Sequence, residues 1–227
     1  MQQLLLEFAP PPPPTLENFS PGKNGAALKA LREALQGGER FVFLWGRSGS
    51  GKTHLLRGFA EAAKAGRAAA YIPASNADWA RAGVLEAAAV DDVARLDESG
   101  QVALFDLCNH LRGSGGALAA SADAPPAQLA LRPDLRSRLA SGIVLQLHSL
   151  NDAEKAAALR EHAAARGMAL AEDLIRHLLT HFDRDMGTQI AMLDALDKVS
   201  LERKRPITLP LLKEAMRALG KRTAASR

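Results

Sequence analysis

Apolar positions along the 227-residue chain change their spacing once, near residue 150. Before that point, short apolar runs alternate with longer stretches in which apolar residues recur every three or four positions. RFVFLW at 40–45 is aromatic and β-branched and predicts a strand; 52–65 predicts a helix, 68–72 a strand and 86–90 a short buried strand. A helix near 102–112 and strands at 117–121 and 143–147 complete the series. Strands separated by helices call for right-handed crossovers, and hence for a parallel sheet. The run AAAV is the weakest of these strands, because alanine is a poor strand former; its place just before Asp91 and Asp92 argues for it. Beyond 150 only helical spacing remains. A first helix, capped by Asn151 and Asp152, runs to about residue 166 and stops at Gly167; amphipathic segments follow at 171–182, 186–203 and 210–219. The fold class is therefore α/β, a parallel sheet with flanking helices over 15–150, followed by a small all-helical domain over 151–220 and a flexible tail at 221–227.

Composition narrows the setting. At 47% hydrophobic residues the chain has enough apolar material for one well-buried core and a small second domain. Cys108 is the only cysteine, which excludes an intramolecular disulfide and suits the reducing cytosol. It sits in VALFDLCNHL, where a small core residue is expected and no chemistry is assigned to it. No apolar run approaches the roughly 20 residues that span a bilayer, and LLLEF has neither a basic leader nor a cleavage site; the expectation is a cytoplasmic protein with no membrane partner. The net charge of +4 permits contact with nucleic acid or an acidic protein without demanding it, since 25 acidic residues are spread among 29 basic ones. The cluster at 203–205 reads as the basic end of a helix.

The first nine residues, MQQLLLEFA, are followed by five prolines at 10–14. A proline run has fixed φ and no amide donors, so it forms an extended spacer rather than core. Residues 1–14 are thus expected to be a peptide held away from the body, whose apolar residues serve a partner.

The densest chemistry lies at GRSGSGKT, residues 46–53, which fits GxxxxGKT in full between a predicted strand and a predicted helix. Gly46, Gly49 and Gly51, with Ser48 and Ser50, let backbone amides turn inward around phosphates, and the helix N-terminus adds its dipole. Lys52 is the cation for the β and γ phosphates, and the Thr53 hydroxyl is the candidate Mg2+ ligand. The ion needs a carboxylate from a neighbouring strand. Asp91 organises the metal and its waters in this reading, and Asp92 polarises an attacking water. The cofactors expected are ADP or ATP with Mg2+.

The phosphate loop, the strand ending in Asp91 and Asp92, SADAPPAQL from Ser121 and PDLRSRLASG from Pro133 together resemble the AAA+ module of the DnaA/Hda family. TLENFSPGKN at 15–24 is similar to the segment that frames the adenine in that family, which implicates Phe19 and Asn24, with His54 beside the loop. The likeness spans nearly the whole chain. It lacks the helix-turn-helix domain of DnaA itself, since GKRTAASR alone follows Leu219, and this points to the regulatory members. The resemblance implies control of replication initiation: the ADP-bound regulator sits on the DNA-loaded polymerase sliding clamp and stimulates DnaA to hydrolyse its ATP. Gln3, Leu4, Leu6 and Phe8 of QLLLEF match the clamp-binding positions, an extended peptide with spaced apolar anchors. Arg138 falls at the arginine-finger position, where a guanidinium neutralises charge on a neighbouring subunit's γ-phosphate, and Asp123 falls at the first sensor. The second sensor position carries Gly187, which cannot reach a phosphate; either Arg184 substitutes or the contact is absent. The partners implied are the clamp, DnaA, the DNA threaded through the clamp and further copies of the chain. A self-contained AAA+ ATPase of the helicase-loader type is the alternative, and Gly187 leaves open whether the chain hydrolyses ATP itself.

Overall fold

The computed structural model describes residues 13–181 and 186–213. Two compact units meet in sequence at Ser149 and Leu150. In the first, β1 (Phe41–Trp45), β2 (Ala69–Pro73), β3 (Ala87–Asp91), β4 (Ala117–Ala122) and β5 (Ile143–Gln146) form a five-stranded sheet in the order β2-β3-β4-β1-β5. Every pairing is parallel, with Phe43 opposite Ala120 on one side and Val144 on the other. The helices that link and cover the strands are α1 (Gly25–Gln36), α2 (Lys52–Lys64), α3 (Glu98–Ser114) and α4 (Pro133–Ala140).

Each face of the sheet carries its own apolar cluster. One packs Phe41, Phe43, Val90 and Leu118 with Leu104, Leu107 and Leu111 of α3 and Leu135 of α4. The other packs Val42 and Leu44 with Leu31 of α1 and Leu55, Leu56 and Phe59 of α2. This two-sided burial explains the alanine strands. Ala87, Ala89, Ala117 and Ala119 face the α1 and α2 side with no solvent exposure. Side chains this small bring the helices close to the strand backbone, and packing on both faces replaces the weak intrinsic preference of alanine. Cys108 is fully buried, as its apolar surroundings predict, and burial pushes its thiol up to about 12 against the smaller opposing pull of Arg112 and Arg138.

One local feature differs from the sequence expectation. Helix α3 begins at Glu98 rather than near 102, because Asp97 caps it, accepting from the Gly100 amide at 2.7 Å and the Ser99 hydroxyl at 2.9 Å. These donors hold the Asp97 carboxyl below the usual range. The segment before α1 packs onto the α/β unit. Leu16 is 2% exposed, Arg32 donates to its carbonyl at 3.2 Å, and a Cβ at Gly58 would lie 2.7 Å from the carbonyl carbon of Thr15. Only glycine lets this segment cross α2 so closely.

The second unit contains α5 (Asp152–Ala165), α6 (Glu172–His181) and α7 (Met186–Arg203). Asn151 and Glu154 form a reciprocal capping box at the start of α5, with bonds of 2.9 Å and 2.8 Å. Leu159, Leu174, Leu178, Leu193, Leu196 and Leu212 make its core. Asp194 of α7 accepts from His162 at 2.6 Å and Arg166 at 3.1 Å, tying α5 to α7. Residues 209–213 are helical, and the remainder of the expected 210–219 segment lies outside the described residues. Among the described residues no helix is long and apolar enough to cross a membrane.

Candidate functional site

β1 ends at Trp45 and α2 begins at Lys52, so the phosphate loop bridges the C-terminal end of a central strand and the N-terminus of a helix. In open α/β sheets, ligands bind beyond these strand ends. The first-turn amides of α2 have no partners within the helix and carry its positive dipole end. Gly49 and Gly51 adopt left-handed backbone, with φ of 76° and 96°, which exposes the loop amides to one side. Ser50 is 5% exposed, and its hydroxyl has no hydrogen-bond partner among the described residues; a buried polar group of this kind is suited to a ligand or water.

Lys52 stays on the loop, donating from Nζ to the carbonyls of Gly46 at 2.6 Å and Arg47 at 3.1 Å. Its burial lowers the ammonium pKa, and the charges of Asp91, Asp92 and Asp123 pull it back up. The three aspartates named from the sequence thus converge electrostatically on the one lysine the motif supplies. Ser48 is an exposed part of the loop.

The adjacent aspartates have different surroundings. Asp91 is 8% exposed and accepts from three hydroxyls. Thr53 Oγ1 donates to Oδ2 at 2.7 Å, Tyr71 OH donates to the same oxygen at 2.7 Å, and Ser121 Oγ donates to Oδ1 at 2.6 Å. Asp92 stands in left-handed backbone at φ 61°, its amide held by Ser121 Oγ at 3.1 Å and its carboxylate paired with Arg95 at 2.7 Å. Asp91 is therefore built into the end of β3, and Asp92 leans toward an exposed arginine. Asp123, just past β4, is exposed.

The segment ahead of α1 reaches the same helix end. The Phe19 ring lies 2.7 Å from where a Cβ on Gly51 would stand and 5.5 Å, centroid to centroid, from the ring of His54. His54 Nε2 meets the Thr15 carbonyl at 3.0 Å and Asn18 Oδ1 at 2.8 Å. Asn24 is 3% exposed and engages the backbone of His148 twice, donating to its carbonyl and accepting from its amide at 2.8 Å each. Its amide thus joins the N-terminal segment to the end of β5. Arg138 is half-buried on α4 with its guanidinium 5.8 Å from the ring centre of Phe105 on α3. Gly187 lies in the first turn of α7. Arg184 and the peptide residues Gln3, Leu4, Leu6 and Phe8 lie outside the described residues.

Tyr71, Ser121 and Arg57 were not singled out by the sequence reading. Tyr71 sits two residues before the end of β2, Arg57 one helical turn after Thr53, and Ser121 in β4; each is an ordinary residue until the sheet closes. Burial, and secondarily the bond to Asp91, pushes the Tyr71 phenol up to about 12, so it remains a donor. A hydroxyl next to a carboxylate is a hard oxygen set, suited to Mg2+ that keeps most of its waters. Among the described residues there is no group of three or more His, Cys, Asp or Glu side chains that could form a separate cage.

Known proteins share this geometry. Residues 152–216 match the sequence model described as the lid domain of Hda. The chain is similar to AMPPCP-bound DnaA from Aquifex aeolicus at 26% identity, covering 85% of this chain and 68% of that one with a TM-score of 0.68. A DNA replication initiation factor matches at 27% identity over 84% of this chain and 67% of its own length, with a TM-score of 0.66. The chain is an AAA+ protein related to DnaA, with a lid like that of Hda. Domain III of Thermotoga maritima DnaA shares the fold of this chain, with a TM-score of 0.71 over 94% of this chain and 98% of that one at 21% identity. In this AAA+ protein the phosphate loop follows β1, the paired aspartates stand at the end of β3, and the helical unit comes after in sequence.

Proposed function

We propose that the chain binds ADP or ATP with Mg2+ at residues 46–53 and acts as a regulator that switches off the replication initiator DnaA. The observation that carries the nucleotide reading is the linked set of Lys52, Thr53 and Asp91. The lysine is held at the loop among three aspartates, and the Thr53 hydroxyl points its hydrogen at Asp91 Oδ2, leaving its lone pairs for a cation. The bound ion would neutralise charge between the phosphates. Lys52 would replace its loop carbonyls with phosphate oxygens, and Phe19 and His54 would flank the base from the N-terminal segment. Likeness to DnaA structures solved with AMPPCP supports this occupant.

The regulatory reading rests on the match to the Hda lid domain. In it, Gln3, Leu4, Leu6 and Phe8 dock on the sliding clamp, and Arg138 acts on ATP held by DnaA. Asp92 supports a weak intrinsic activity, since its carboxylate is paired with Arg95 and a general base must reach the attacking water. The test is stimulation of DnaA-bound ATP hydrolysis on clamp-loaded DNA. Arg138→Ala is expected to keep nucleotide and clamp binding and to lose most of the stimulation; a mutant as active as the parent refutes the role. Replacing Leu6 and Phe8 with alanine should abolish clamp binding with little change in melting temperature, and a collapse of the melting temperature would count against a tethered peptide.

A further inference from the structure

The three hydroxyls on Asp91 do not have equal means of support. Thr53 belongs to the phosphate motif, and Ser121 is buried in β4 and is also tied to the Asp92 amide. Tyr71 comes from β2, which stands at the edge of the sheet. Its register partner on β3 is Ala89, and Pro73 lies opposite Asp91. Alternation along a strand puts residues 71 and 73 on one face, with 89 and 91 on the same face of the neighbouring strand. The small Ala89 therefore leaves room for the phenol ring to lie along the sheet and reach one residue pair further, to the carboxylate at the strand end.

The ring is fixed from its other side. Arg57 on α2 holds its guanidinium carbon 5.0 Å from the centre of the Tyr71 ring, close enough for a cation–π contact. Thr53 and Arg57 are four residues apart, so they project from the same face of α2. The helix thus touches Asp91 with one residue and Tyr71 with the next on that face. Thr53, Asp91, Tyr71 and Arg57 close a ring in which the helix sets the distance between the first and the last. Thr53 and Tyr71 donate to the same oxygen, Asp91 Oδ2. Without the phenol, that oxygen has one hydroxyl fewer and the carboxylate can rotate away from Thr53.

We infer that Tyr71, braced by Arg57, is a positioning residue that aims Asp91 at the Thr53 hydroxyl and so sets the strength of the metal-dependent part of nucleotide binding. Tyr71 itself touches neither metal nor nucleotide. The inference rests on the nucleotide reading above and adds to it a residue outside the phosphate motif. Groups that orient a metal site in this way change metal affinity by about 10- to 100-fold when removed; one neutral hydroxyl among three belongs at the low end.

The test is a Mg2+ titration of the binding of a fluorescent ADP analogue by the full chain, comparing the parent, Tyr71→Phe and Lys52→Ala, with melting temperatures recorded for all three. Tyr71→Phe retains the ring and its place under Arg57. It is expected to raise the Mg2+ concentration at half-effect by about tenfold, to leave affinity in EDTA within twofold of the parent, and to melt close to it. Arg57→Met, which keeps the length and loses the charge, should move the same midpoint in the same direction by less. An unchanged midpoint in Tyr71→Phe, with the parent binding and Lys52→Ala failing to bind, overturns the positioning role while the nucleotide site stands. Equal loss with and without Mg2+ also overturns it, as the sign of a merely structural residue. If the parent binds no nucleotide at all, the site reading and this inference fall together.

Discussion

The α/β unit and the helical unit bury their cores with opposite materials. In the first, the central strands β3 and β4 are built largely from alanine, which lets α1 and α2 lie close to them, and the segment before α1 crosses α2 where Gly58 has no room for a methyl group. In the second, leucines on α5, α6 and α7 meet around a small core. Close approach of helix to sheet costs side-chain volume, and it returns positional accuracy: Thr53, Tyr71 and Ser121 can all reach one carboxylate. The leucine core of the helical unit needs only that apolar faces meet, and its polar tie, Asp194 with His162 and Arg166, joins helices without converging on a reacting group.

This contrast predicts opposite responses to side-chain size. Leu193→Ala, at a fully buried position in the helical unit, should destabilise that unit by about 2–5 kcal/mol through the cavity it leaves. Ala119→Leu, equally buried in β4, should cost about 1–3 kcal/mol by overpacking, whereas the reverse truncation Ala119→Gly should cost less. Chemical denaturation followed by circular dichroism would measure each; tolerance of Ala119→Leu would break the comparison. Gly58→Ala should act locally. The added methyl pushes on the backbone of residues 15 and 16, so hydrogen exchange at Leu16 and Phe19 should accelerate while the exchange of β1 amides holds. Smallest of all should be the loss in Asp194→Asn, about 1 kcal/mol or less for a pair whose partners retain solvent, read as a shift in the denaturation midpoint. Cys108 offers an independent probe of the tight unit: with its thiol pushed up to about 12, alkylation of the folded protein should be negligible from pH 7 to pH 9 and should become complete on unfolding. Labelling that rises with pH in the folded state would contradict the packing described.

The parallel sheet and the helical unit were legible because their signals are local. The spacing of apolar residues changes near 150, and GxxxxGKT has meaning only between a strand and a helix. Even AAAV could be recognised as a strand from the aspartates after it, although its stability comes from two packed faces that no local propensity records. Apolar spacing alone starts α3 several residues late, and the signal that corrects it is Asp97, a capping residue followed by Glu98, Ser99 and Gly100. The support of Asp91 was not legible. Tyr71 and Ser121 lie 20 and 30 residues away on other strands, and only the strand order and register bring their hydroxyls to one carboxylate. The pairing of Asn24 with the His148 backbone spans 124 residues, and its side chain gives no hint of that partner beforehand.

In the proposed site, the loop at 46–53 holds a nucleotide through Lys52, with Thr53 and Asp91 beside it. The most direct measurement is calorimetric titration of ADP and ATP into the purified chain in Mg2+, alongside Lys52→Ala, after denaturing a sample to identify any nucleotide already bound. Saturable binding by the parent at one site and its loss in Lys52→Ala, with both proteins melting as folded chains, is the predicted result. Equal affinity in the two proteins would contradict the account.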